Sequence, residues 1–71
     1  MKVILKIDPL NQHNATHLPK QITFEMPFTA TTEQIMRRAR QIVKERGLMG
    51  VLVEVRDEEG RLIGVLGTVE L

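Results

Sequence analysis

One stretch of this 71-residue chain, Thr31 to Gly47, carries both end signals of a helix in its own residues. A lone helix has one apolar stripe and needs something flat to cover it, so the rest of the chain has to supply a sheet. With Thr31 as N-cap, Gln34 stands three residues on, where its side chain can reach back to close a capping box, and Ala30 and Ile35 can form a modest staple. Ile35, Ala39, Ile42 and Val43 then follow helical spacing on one face, with Met36 on its margin. Gly47 suits a left-handed C-cap, Leu48 can fold back on Val43, and Lys44 and Arg46 complement the negative end of the helix dipole.

On either side of this helix the apolar period changes to two. Lys2 to Ile7 puts Val3, Leu5 and Ile7 on one face and Lys2, Ile4 and Lys6 on the other, with Asp8-Pro9 expected to end the strand. Residues 8 to 20 are polar and carry a proline near each end, which reads as a long loop. Gln21 to Met26 alternates again, with Ile22, Phe24 and Met26 inward, and Pro27 stops it. After Gly50, VLVEVRDEEGRLIGVLGTVEL reads as two strands around the tight turn Glu58-Glu59-Gly60. Continuing the register from that turn pairs Val55 with Ile63 and Val53 with Val65, and sets Val51, Val69 and Leu71 on the same face. The expected architecture is a single α+β domain over residues 1–71, with two layers in the order ββαββ and one helix packed on one face of a four-stranded sheet.

The segment QITFEMPFTATTEQIMRRARQIVKERGL, preceded by a strand and followed by a hairpin, resembles the ubiquitin-like β-grasp superfamily, and the resemblance runs the length of the chain. It implies a mixed sheet in which Arg61 to Leu71 lies beside and parallel to Lys2 to Ile7. It also implies partner binding through an apolar patch on the exposed sheet face. Modifiers and sulfur carriers of that superfamily end in a flexible Gly-Gly tail. Here Thr68-Val69-Glu70-Leu71 continues the strand pattern, so conjugation and sulfur transfer are not expected.

Composition narrows the function further. Cys and Ser are both absent, which removes disulfides, thiolate metal sites and the common nucleophile triads. A chain without Cys, without a signal-peptide pattern and without an apolar run of membrane-spanning length is expected in the cytoplasm and off the membrane. His13 and His17 share the long loop with Asp8 as the nearby carboxylate, too few ligands for a metal site, so no metal and no cofactor are expected. Asn14-Ala15-Thr16 matches a glycosylation acceptor, but without a secretory signal it carries no weight. Asp57, Glu58 and Glu59 form a hydrated hairpin tip with no catalytic role.

Two binding readings remain. In the turn-derived register, Ile4, Leu52, Leu62 and Leu66 face away from the helix, with Leu52 directly across from Leu66 and with Lys2, Lys6, Glu54 and Arg56 around them. Four aliphatics on adjacent strands make a candidate partner surface, for another protein or for a second copy of this chain. This supports a small non-enzymatic protein-protein interaction module. The competing reading is a nucleic-acid-binding regulatory protein that uses Arg37, Arg40 and Lys44 on the solvated face of the helix. The absence of Trp and Tyr leaves that reading short of surfaces for base stacking.

Overall fold

The helix forms where its own end signals place it. In the computed structural model, which describes residues 1–10 and 18–68, α1 spans Thr32–Glu45. Both halves of the capping box are made: the Gln34 amide donates to Thr31 Oγ1 at 3.2 Å, and the Thr31 amide donates to Gln34 Oε1 at 2.9 Å. The C-terminal end closes as a Schellman motif, the Leu48 amide donating to the Val43 carbonyl and the Gly47 amide to the Lys44 carbonyl, both at 3.1 Å. Gly47 takes φ 65°, a conformation that a side chain would oppose. This return fold buries Leu48 beside Val43 and aims the chain back at the sheet.

Four strands accompany the helix: β1 (Lys2–Pro9), β2 (Gln21–Glu25), β3 (Val51–Asp57) and β4 (Leu62–Thr68). The element order ββαββ is the expected one, and the domain is α+β. The sheet differs from the mixed one that the β-grasp resemblance implies. Its order is β2-β1-β3-β4 with every neighbouring pair antiparallel, so β3 rather than β4 lies beside β1. Side-chain content explains the exchange. Val51, Val53 and Val55 make β3 a continuous buried row suited to the middle of a sheet, while Gly64 and Gly67 leave β4 less to pack with neighbours on both sides.

β1 also runs past its expected end. Pro9 pairs with Val51, and the Leu10 amide donates to the Gly50 carbonyl at 2.8 Å. The Ile7 amide still donates to the Lys20 carbonyl at 3.0 Å, and the Pro9 nitrogen, two residues on, points to that same side and away from β3, so the proline costs no ladder bond to β3. The core lies between α1 and the helix-facing side of the sheet. Val3, Leu5, Ile7, Ile22 and the three β3 valines meet Ile35, Ala39, Ile42, Val43 and Leu48. Among the described residues no polar side chain is buried there. His13, His17, the Asn14 triplet, Val69 and Leu71 fall outside the described residues.

The second departure is in β4. The turn forms as expected, with Gly60 at φ 83° and the Asp57 amide donating to the Arg61 carbonyl at 3.0 Å, so that Arg56 pairs with Leu62. At the next step the register shifts: Val55 pairs with Gly64, leaving Ile63 as an extra residue in a β-bulge. Every pair beyond it moves by one, giving Glu54 opposite Val65, Val53 opposite Leu66 and Leu52 opposite Gly67. Leu66 therefore turns inward, 7% exposed, while Val65 turns outward at 48%. The bulge brings Gly64 under the helix, where Met36 fills the space of a side chain: a Cβ on Gly64 would sit 2.5 Å from Met36 Sδ.

Candidate interaction surfaces

On the open sheet face, residues follow in rows across the strands. Thr23, Ile4, Arg56 and Leu62 form one row, Gln21, Lys6, Glu54 and Val65 the next, and Asp8, Leu52 and Gly67 a third. Of the four aliphatics expected to gather here, Leu52 (37% exposed) and Leu62 (53%) do face outward, and Ile4 is half-buried. Leu66 does not join them, because the bulge has placed it in the core beside Val53.

The remaining three are not contiguous. Arg56 stands between Ile4 and Leu62, and the Lys6-Glu54-Val65 row separates both from Leu52. Arg56 is firmly held there, donating from one terminal nitrogen to the Gly60 carbonyl at 2.6 Å and from the other to Glu54 Oε2 at 3.0 Å. An ion pair in the middle of the face breaks up the apolar surface, leaving scattered aliphatics of the ordinary kind. Val65, which the turn-derived register had put inside, is the residue that adds to Leu62 on the outer margin of this face.

The two sheet edges are unlike each other. β2 is five residues long, presents Gln21, Thr23 and Glu25 to solvent and is followed by Pro27. Its Glu25 is engaged by the N-terminal ammonium at 3.6 Å, and that ammonium also donates to the Met26 carbonyl at 2.6 Å. Short length, charge and a proline are the devices that keep an edge from pairing. β4 has none of these three; its one protective feature is the bulge at Ile63 close to the turn, and residues 64–68 beyond it pair regularly with β3. Its seven residues, LIGVLGT, include no charge and no proline, and β3 is the only strand beside it among the described residues. Alternate residues of such a strand direct their N–H and C=O groups away from the sheet.

Beside this open edge, on the helix side, lies a groove of about 380 Å³. Val43, Leu48 and Leu66 form its floor, Met49 its adaptable wall, and Arg40 and Lys44 its rim. The helix cations expected as a nucleic-acid contact thus divide. Arg37 is paired with Glu33 at 3.3 Å, one turn back on the same exposed face. Arg40 and Lys44 lean over the groove and have no ion-pair partner among the described residues. The groove escaped sequence reading because it needs Leu66 inward, which depends on the bulge. The presence of Gly64 in the strand was the available signal, since an isolated strand glycine often marks a bulge or a close approach.

Among the described residues no cluster of three or more His, Asp or Glu is placed to hold a metal ion, and no helix is long and apolar enough to cross a membrane. The acidic hairpin tip is tied to its own backbone. Asp57 Oδ1 accepts from the Glu59 and Arg61 amides, both at 2.9 Å, and Oδ2 from Arg61 Nε at 3.1 Å. The Arg61 backbone bond is the main reason that the Asp57 carboxyl titrates below its ordinary value; partial desolvation opposes it, and the Glu59 amide and the Arg61 side chain assist. Comparison with protein-family models, curated proteins and solved structures finds no match to this chain.

Proposed function

We propose that this protein is a non-enzymatic interaction module that receives an extended segment of another polypeptide as an additional strand on the β4 edge. The observation that carries the reading is the contrast between the guarded β2 edge and the seven uncharged, proline-free residues of β4. Backbone groups of β4 would supply affinity, and alternate side chains of the incoming strand would supply selectivity. Leu62 and Val65 await one set of those side chains on the open face. The lack of Ser and Cys in the chain, and of a desolvated carboxylate pair among the described residues, supports a binding role rather than catalysis. The nucleic-acid reading loses support because Arg37 is already paired and Arg40 and Lys44 turn toward an apolar groove.

The experiment is selection of unstructured peptides from a displayed library, followed by amide chemical-shift mapping of the selected peptides on the labelled protein. Shifts concentrated on Leu62–Thr68, with affinity lowered at least tenfold by Val65→Lys, are expected. Selected peptides that leave the β4 amides unmoved, or that bind Val65→Lys as tightly as wild type, would end the proposal.

A further inference from the structure

A strand added to β4 has two faces, and the groove gives one of them a definite chemistry. Side chains directed to the helix side of the sheet would run alongside Leu66 and enter the space between it, Leu48 and Met49. That floor accepts an aliphatic group. Above it stand Arg40 and Lys44, two exposed cations without a partner among the described residues, so an acid flanking the aliphatic group would find its counter-charge there. Side chains directed to the other face would meet Leu62 and Val65, where β-branched residues pack well.

Resting on the strand-addition reading, we infer that the β4 groove recognises an extended acidic-apolar peptide segment, with carboxylates held by Arg40 and Lys44 around an aliphatic side chain seated on Val43, Leu48 and Leu66. The charge distribution also argues against a second copy in this position. Two β4 strands paired antiparallel about a two-fold axis perpendicular to the sheet keep both helices on the same face of the joined sheet. Arg40 and Lys44 of each copy would then approach those of the other, and like charges across an interface oppose association.

The probes are three blocked heptapeptides. The first is Thr-Glu-Val-Leu-Val-Glu-Thr, which sets Glu, Leu and Glu on one strand face and two valines on the other. In the second, lysine replaces both glutamates. In the third, proline replaces the central leucine and breaks the ladder. Binding is read by fluorescence anisotropy and amide shift mapping against wild type and Arg40→Glu, Lys44→Glu. The acidic peptide is expected to shift Val43–Met49 and Leu62–Thr68, to bind at least tenfold more tightly than the lysine peptide, and to lose binding with the proline. In the charge-reversed variant the preference is expected to invert toward lysine, an exchange that an indiscriminately adhesive edge would not make.

Equal binding of acidic and lysine peptides, with β4 shifts present, would overturn the groove inference and leave strand addition standing. Failure of the acidic and lysine peptides alike, where library-selected peptides still bind β4, would do the same. Failure of selected and designed peptides alike would remove both, as would a chain that dimerises through β4 at micromolar concentration.

Discussion

The two outer strands belong to one sheet, yet they handle the same problem in opposite ways. β2 is short, alternates cleanly and carries charge at its end, and what lies inward is what its parity predicts. β4 is longer, uncharged and bulged, and half of its parity is reversed. β2 keeps its register because alternation and burial agree. β2 too has one neighbouring strand, so edge position alone does not admit the extra residue; in β4 the adjacent apolar pair Val65 and Leu66, either of which can face the core, lets one slip in.

The largest test of this contrast is a pair of adjacent substitutions. Leu66→Asp would place an unpartnered carboxylate in the core beside Val53, at a cost of about 3 kcal/mol or more. A domain this size is expected to hold a margin of roughly 3–5 kcal/mol, so the substitution should remove most or all of it. Val65→Asp lies on the exposed face and should change stability by about 0.5 kcal/mol or less. Urea titrations of the two variants settle the register. The reverse ranking would restore the bulge-free pairing and remove the groove.

The extent to which the structure was legible in the sequence follows the same division. Helix ends are local, so Thr31, Gln34 and Gly47 announced them correctly. The parity of β1 and β3 follows from unbroken alternation, which burial on one face enforces. The β3-β4 turn was also legible, and so was the pairing as far as Arg56 with Leu62. Beyond that point Val65 and Leu66 are both apolar, so either could serve as the core residue. Only the helix decides, by lowering Met36 onto Gly64 and leaving room for leucine at the next inward position. The strand order was hidden for a related reason. Both β3 and β4 read as strands with several aliphatic residues, and which one takes the centre depends on packing on both sides at once.

Next in size is a matched pair of edge charges. Val65→Lys on β4 should weaken binding of selected peptides tenfold or more, equivalent to about 1.4 kcal/mol. Thr23→Lys on β2 should change it less than twofold, since that edge is already blocked. Equal losses at the two positions would mean that the peptides bind a general feature of the sheet and not one edge of it.

A smaller effect, with a sign that can be reversed, comes from Gly64→Ala. The added Cβ would meet Met36 Sδ at 2.5 Å and Cε at 2.6 Å, so the thioether has to move and packing is lost. Against that, alanine restricts the unfolded chain more than glycine does. The net result in wild type should be a loss of about 1 kcal/mol. With Met36→Ala already in place the clash is gone, and the same change should stabilise by about 0.5 kcal/mol. Additive behaviour across this cycle would show that Met36 does not rest on Gly64, and with it the reason for the bulge would disappear.

The smallest expected effect is at the start of β4. Asp57 holds Arg61 through backbone and side chain, which fixes the turn from which the correct part of the register grows. Its carboxyl titrates below the ordinary aspartate value because the folded chain stabilises the ionised form. The Asp57 contribution to stability is therefore complete above the unfolded-state value. It declines as pH falls through that value and is lost below the lower, folded one. Asp57→Asn should lower stability slightly at neutral pH, where the wild-type contribution is complete, and converge on wild type below the folded-state value, so that the acid limb flattens. An Asp57 midpoint at or above the ordinary value, followed by carboxyl carbon shifts, would mean that the turn is not held in this way. The bulge at Ile63 would then have no fixed origin from which to shift the strand.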